Sequence, residues 1–266
     1  MAHRAKKELG QNFLKSKLAI SKIVEVASLS ATDTVLEIGP GKGALTRALL
    51  DTGCTVIAIE KDGELIVLLQ KTFAEEIASK KLTLIQGDIR TVDFSHYLLQ
   101  ATSYKLIANI PYYITGEILE LFLEHGPQPE RIVVLVQKEV AQRIVARDKK
   151  ESILSLSVKA YGTPKIVMNV SKKYFSPAPK VDSAVLCISD ISKKKFAGGD
   201  EKKFFTLVKA GFAHKRKQLV PNLASLVPKE TLSRFLTEHG HSARERAEEL
   251  SVDDWLALSQ TTNPTL

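Results

Sequence analysis

The run Val35-Leu36-Glu37-Ile38-Gly39-Pro40-Gly41-Lys42-Gly43-Ala44-Leu45-Thr46 limits the folds open to this chain more than any other stretch. Its apolar start (Val35, Leu36, Ile38) reads as a buried strand, and helical periodicity runs from Ala44 to Leu50. Glycines 39, 41 and 43 therefore fall on a strand-to-helix turn. Glycine suits such a turn because it tolerates left-handed backbone and lets a ligand approach the main chain. A turn that binds nothing is the simpler alternative, since a glycine-rich loop alone says little.

Chemistry narrows the ligand. A Walker loop needs Gly-Lys followed by Ser or Thr, which Gly41-Lys42-Gly43-Ala44 lacks. The glycine spacing also departs from the Gly-x-Gly-x-x-Gly of dinucleotide folds. Glu37, two residues before the loop, disfavours a pyrophosphate and favours a cation. S-adenosylmethionine, with a sulfonium and an ammonium, fits that preference. Further strand-like runs follow. Thr55–Ile59 ends in Glu60, placed to accept both ribose hydroxyls, although an exposed strand-end acid is the plainer reading of Glu60 alone. Leu82–Gln86 ends in Gly87-Asp88, an acceptor for an adenine amino group, and Tyr104–Ala108 ends in Asn109-Ile110-Pro111-Tyr112. Four strands thus bring polar residues to one edge of a parallel sheet, where ligands of such folds bind.

Asn109-Ile110-Pro111-Tyr112 suggests the second reactant. The exocyclic amine of adenine is a poor nucleophile, because its lone pair is delocalised into the ring. Two acceptors, the Asn109 side-chain oxygen and the Ile110 carbonyl, can rehybridise and aim it, with Pro111 keeping the turn rigid. Tyr112 offers a stacking face, worth about 1–3 kcal/mol per base. Asn is no general base, so its role is orientation and charge stabilisation. No metal and no covalent nucleophile are needed. The plainer alternative is a strand that ends in a proline turn.

The 266 residues can hold one α/β domain and a smaller second one, and 44% hydrophobic content is ample for a core. No apolar run is long enough for a membrane span, and the basic N-terminus lacks the apolar segment of a secretory signal. Cys54 and Cys187 lack metal-ligand spacing and read as packing residues, so a cytoplasmic, reducing setting is expected. The net charge of +8 points to an anionic partner. Residues 1–17 hold five basic residues against one acidic, and residues 193–217 hold nine against two. Two such clusters on a near-neutral body resemble a phosphate footprint; lysine-rich solvated loops are the alternative.

Helices are expected at about 16–27, 45–51, 63–78, 116–125, from 138 to about 147, and around 153–161. Arg131–Gln137, the most hydrophobic strand, is expected at the sheet centre. Lys165–Tyr174 and Ala184–Ile188 read as an antiparallel closure around the proline-broken segment Phe175–Ser183. The composition shift at 193–199 reads as a linker between domains 1–192 and 193–266. Helices beyond it are marked by Phe204–Phe212, limited by Pro221, by Leu232–Leu236, stopped by Gly240, and by Trp255–Leu258 after a capping box at Ser251; residues 261–266 read as frayed.

Leu9–Leu14, Val35–Thr46, Gly87-Asp88, Asn109–Tyr112 and Phe175–Ser183, in this order and spacing, resemble the motifs of the ribosomal RNA adenine N6,N6-dimethyltransferase family. The similarity is greatest to its bacterial small-subunit, kasugamycin-sensitivity branch. The resemblance implies a Rossmann-like S-adenosylmethionine-dependent methyltransferase domain with a small C-terminal all-α, RNA-binding domain. It implies dimethylation of two adjacent adenosines in a hairpin near the 3′ end of small-subunit rRNA, on naked RNA or an immature small ribosomal subunit, by a monomer. Asn12, Leu14, Gly39, Gly41, Glu60, Asp88 and Asn109 would contact the donor. Asn109 to Tyr112 would carry the catalysis, Tyr112 and Phe175 would flank the splayed-out base, and Lys215, Arg216 and Lys217 would meet RNA. Tyr113, Lys215 and Ala247 depart from the family pattern, and Lys binds phosphate without the bidentate grip of Arg. The rival readings are a large-subunit methyltransferase of the resistance type and a non-catalytic assembly or nucleic-acid-binding factor.

Overall fold

A computed structural model describes residues 5–94, 97, 103–214 and 216–261. Two compact units divide the chain: residues 1–141 with 163–191, and residues 142–162 with 192–266. The second boundary lies beside the expected linker. The first differs from the sequence reading, which kept 142–162 with the larger domain.

The first unit holds strands β1 (Phe13–Leu14), β2 (Thr34–Ile38), β3 (Thr55–Glu60), β4 (Leu82–Gln86), β5 (Lys105–Asn109), β6 (Arg131–Gln137), β7 (Thr163–Val170), β8 (Phe175–Ser176) and β9 (Ser183–Ser189). Seven of them form one sheet in the order β4-β3-β2-β5-β6-β9-β7. Its first five members run parallel, and β9 pairs antiparallel with both β6 and β7. The antiparallel closure expected from the sequence is therefore present. The middle strand is β5 rather than β6, which lies one place further along. Hydrophobicity reports that both faces of a strand are covered, not its rank in the sheet.

Val35, Leu36, Glu37 and Ile38 are all buried, as a strand covered on both faces requires. The helix Lys17–Ala27 starts where Ser16 Oγ accepts from the Ala19 N–H at 3.2 Å. It buries Ala19, Ile23 and Ala27 in a cluster with Val35, Val133, Leu135 and Val185. The helix expected at 63–78 is two, Gly63–Thr72 and Ala74–Ala78, joined at Phe73 with φ −118° and ψ 32°. Phe73 is buried against Gly43, where a Cβ would come within 2.5 Å of its ring, and the Arg47 guanidinium covers it. The strand expected at 165–174 ends at Val170 and gives way to a 3₁₀ turn, Lys172–Tyr174. The segment that begins at Phe175 is not wholly irregular, because β8 pairs antiparallel with β1, Leu14 facing Phe175.

The second unit is helical: Ile153–Lys159, Glu201–Gly211, Leu219–Leu223, Lys229–Glu238 and Val252–Thr261. Tyr161, Phe196, Phe204 and Phe205 form an aromatic cluster with centroids 5.0–6.3 Å apart. Tyr161 also donates to Glu201 at 2.7 Å, which ties 142–162 to this unit. Phe196, read as part of a linker, is buried in that cluster, and burying such a ring contributes about 1.5–3 kcal/mol. The helix Glu201–Gly211 stops ten residues before Pro221, against the expectation, and Pro221 lies in the next short helix. Gly211 sits under Trp255, where a Cβ would come within 2.4 Å of the indole. The capping box at Ser251 is present: its Oγ accepts from the Asp254 N–H, and Asp254 accepts from the Ser251 N–H. Residues 262–266, read as frayed, lie outside the described residues.

Candidate active site

Register brings the four strand ends together. Ile38 is level with Ile59 and with Ala108, and Glu60 with Gln86. Gly39, Glu60, Gly87-Asp88 and Asn109 thus meet at the carboxyl edge of the sheet and line one cleft, where ligands of such sheets bind. Gly39, Gly41 and Gly43 all have positive φ, at 67°, 58° and 81°. A Cβ on Gly41 would press to 3.0 Å of the Phe13 ring, so the loop can pass under Phe13 only without side chains.

Glu60 is buried, and each of its oxygens already accepts one main-chain N–H: Oε2 from Gly41 at 3.1 Å and Oε1 from Asp62 at 2.9 Å. Each oxygen keeps a lone pair for a ribose hydroxyl. Burial raises its pKa, an effect that the main-chain N–H groups of Asp62, Gly41 and Lys61 partly offset. Asp88 is different. Its Oδ1 takes the Arg90 main-chain N–H and Nε, and its Oδ2 takes Arg90 Nη2 at 2.7 Å and Lys61 Nζ at 3.1 Å. The Arg90 guanidinium holds this carboxyl well below the usual carboxylate range. All of its lone-pair positions are filled, so an adenine amino group must displace a cation to reach it.

Glu37 does not serve the donor's charge as its sequence position suggested. It is fully buried, it is not one of the residues that line the cleft, and neither of its oxygens has a hydrogen-bond partner. Burial raises its pKa to about 8, with the nearby Thr46 hydroxyl opposing the rise and the charge of Glu60 adding to it, so at neutral pH it is mostly protonated.

The segment Leu9–Leu14 forms a strap along the cleft. Asp62, buried at the start of helix Gly63–Thr72, accepts from Lys6 Nζ at 2.7 Å and from Gln11 Nε2 at 2.8 Å. Gln11 Oε1 accepts the Lys6 N–H in turn. Asn109 Nδ2 donates to the Asn12 carbonyl at 3.0 Å. Gly10 faces Pro111 and Tyr113, where a Cβ would meet the Tyr113 ring at 3.1 Å. Lys42 Nζ lies 4.8 Å from the Phe13 ring centroid. Asn12, Gly39, Gly41, Glu60, Asp88 and Asn109 therefore come together on one cleft with Ile110, Pro111 and Tyr112.

Two expected residues stand apart from it. Leu14 and Phe175 are buried and paired with each other in the core, so Phe175 offers no open face to a base. Tyr112 is half-buried, and its Oη lies 2.7 Å from the Oγ of the fully buried Ser183. In the second unit Arg216 and Lys217 are exposed, while Lys215 lies outside the described residues. The loop between β7 and β9 adds exposed Lys172, Lys173 and Lys180 to the basic surface of the first unit. Glu120, Glu124 and His125 are close enough to ligate an ion but do not line the cleft.

Sequence reasoning missed Asp62, Gln11 and Ser183 as parts of the site. Asp62 carried the signal of an ordinary helix cap, which it also is, accepting the Glu64 N–H at 3.1 Å. Only the fold shows that Lys6 and Gln11 also donate to it.

The chain is similar to known proteins over nearly its whole length. The family model described as ribosomal RNA adenine dimethylase matches residues 2–263. The chain is 41% identical over 265 residues to the ribosomal RNA small subunit methyltransferase A of Dehalococcoides mccartyi strain 195, covering 98% of this chain and 90% of that one. The protein of the same name from Thermosynechococcus vestitus is 40% identical, with 97% and 96% covered. Among solved structures, a dimethyladenosine transferase from Plasmodium falciparum superposes with a TM-score of 0.75 at 26% identity, covering 92% of this chain and 95% of that one. The 23S rRNA methyltransferase ErmE superposes with a TM-score of 0.76 at 24% identity, covering 94% and 99%, a likeness of fold alone.

Proposed function

The chain belongs to the ribosomal RNA adenine dimethylase family, and from that premise we propose that the cleft of the first unit is where its methyl transfer takes place. The protein is an S-adenosylmethionine-dependent dimethyltransferase of small-subunit rRNA adenines. One observation carries the assignment of the site: Asn109, Glu60 and the glycine turn converge on one cleft, with Tyr112 at its wall.

The cleft suits the donor by its chemistry. The glycine turn leaves main chain bare where a bulky ligand must lie close. Glu60 has spare lone pairs for vicinal hydroxyls, and the strap gives a wall at Asn12. When bound, S-adenosylmethionine supplies a methyl group activated by a sulfonium.

The chain's own residues do the rest. The Asn12 carbonyl takes the Nδ2 of Asn109, which leaves Oδ1 free to accept from the target amine. With the Ile110 carbonyl as second acceptor, the amine is held with its lone pair turned out of the ring plane. Tyr112 stacks on the base, and Leu14 with Phe175 supports the strap from within the core. Asn109 cannot take a proton, so the proton lost at each transfer passes to solvent. After the first transfer one N–H remains, enough to engage one of the two acceptors again.

The substrate is read as two adjacent adenosines in a hairpin near the 3′ end of the small-subunit RNA, presented on an immature subunit to a monomeric enzyme. Lys215, Arg216 and Lys217, with the lysines of the first unit, would contact its phosphates. Incubation with labelled S-adenosylmethionine and immature small subunits, followed by mapping of the modified bases, tests this reading. Label at other positions, or in large-subunit RNA, would overturn it.

A further inference from the structure

Tyr112 follows Pro111 in a short 3₁₀ turn, Tyr112–Ile114, beyond the end of β5. A turn of this kind leaves an aromatic ring free to tilt about its χ angles. Its hydroxyl, however, is 2.7 Å from Ser183 Oγ. Ser183 opens β9 and is level with Gln137 of β6 on one side and Val170 of β7 on the other. The residue before it is fixed as well: Asp182 accepts the Lys172 N–H at its side chain and the Lys138 N–H at its main chain, both at 3.0 Å. The far end of the Tyr112 ring is therefore tied to a point of the antiparallel closure that is paired on both sides. Its near end is carried by the loop that aims the amine.

We propose that Ser183 is a positioning residue that fixes the tilt of the Tyr112 ring, and that this anchor matters more for the second methyl transfer than for the first. The proposal rests on the reading that Tyr112 stacks on the target base. An unmethylated amine offers two N–H donors, so the Asn109 oxygen and the Ile110 carbonyl together orient it. A monomethylated amine offers one. One acceptor then loses its partner, and the base depends more on the surface beneath it. Loosening that surface costs little in the first round and more in the second. Burial of the phenol raises the Tyr112 pKa, so the ring remains a neutral hydrogen-bonding group throughout the working pH range.

The test is single-turnover and multiple-turnover methylation of immature small subunits, with mono- and dimethyladenosine separated by mass spectrometry. Ser183→Ala removes the anchor from the sheet side, and Tyr112→Phe removes the same hydrogen bond from the half-buried side, where folding is not at issue. Loss of one such bond corresponds to roughly a fivefold change. The second-transfer rate is therefore expected to fall about fivefold in each variant, the first by less, so that monomethyladenosine accumulates. The double variant is expected to be no worse than either single one. Wild-type product ratios in both variants, equal slowing of both transfers, or effects that multiply in the double variant would each overturn the proposal. Tyr112→Ala separates this failure from failure of the stacking reading. If that variant methylates normally, stacking itself is wrong; if it is inactive while Tyr112→Phe and Ser183→Ala are unaffected, only the anchor is.

Discussion

Asn109 donates its side-chain N–H to the Asn12 carbonyl at 3.0 Å, across 97 residues of chain. The bond decides which end of the amide faces the cleft. An amide whose nitrogen is committed to a carbonyl must present its oxygen elsewhere, and in the proposed mechanism the amine of a target base would take that acceptor.

Asn109→Asp should therefore be almost as damaging as Asn109→Ala. A carboxylate cannot donate to the Asn12 carbonyl and faces it with like charge. Methylation is expected to fall by at least about a hundredfold in both variants, while filter binding of the RNA stays near the wild-type level. Full activity of either variant would rule out the orienting role.

Gln11→Ala removes a strap side chain that holds Asp62 without touching the helix cap. A hydrogen bond to a carboxylate is worth about 1.5–3 kcal/mol, so binding of S-adenosylhomocysteine should weaken about tenfold. Calorimetric titration measures this without turnover. Unchanged donor affinity would show that the donor's seat does not depend on this contact.

Glu37 should make the fold lose stability as the pH rises from about 4.5 to about 8. Its carboxyl titrates near 8 in the folded protein and near 4.5 in the unfolded chain. Below 4.5 both states are protonated and the fold gains its full benefit. Above that value the unfolded chain releases its proton first, so stability falls by at most about 1.4 kcal/mol per pH unit until pH 8 is passed. Glu37→Gln should flatten this slope in melting curves recorded from pH 5 to 9. An unaltered slope would mean that the carboxyl is already ionised.

Arg216 and Lys217 are exposed, and each is expected to neutralise about one phosphate. Replacing either by Ala should weaken RNA binding uniformly across sequences and lower the log–log salt slope by roughly 0.7–0.9. Binding isotherms at several salt concentrations measure the slope. A variant with the wild-type slope would place the RNA elsewhere.

Much of the site could be read from the sequence because strand ends carry their chemistry with them. Once Val35–Ile38, Thr55–Glu60, Leu82–Gln86 and Lys105–Asn109 are parallel neighbours, Gly39, Glu60, Asp88 and Asn109 must meet. What periodicity could not show were the contacts that depend on depth. Glu37 stands within an apolar run two residues before the first glycine, a pattern equally compatible with a cleft wall and with the sealed position it occupies. Phe175 stood among prolines and looked like an open loop residue, but its pairing with Leu14 takes it inside. Asp88 looked like a free acceptor because nothing in a sequence shows that Arg90 folds back onto it. The helix 153–159 follows the same logic, since Tyr161 finds its aromatic partners some forty residues on.

The strap has one more implication. Phe13 lies on the glycine turn that would cradle the donor, and the neighbouring Asn12 sets the amide that would hold the acceptor. A displacement of the main chain at this point reaches both reactants at once. In the proposed arrangement one short stretch of main chain would therefore set both seats, and a substitution that shifts it would disturb the aim of the amide and the bed of the donor together.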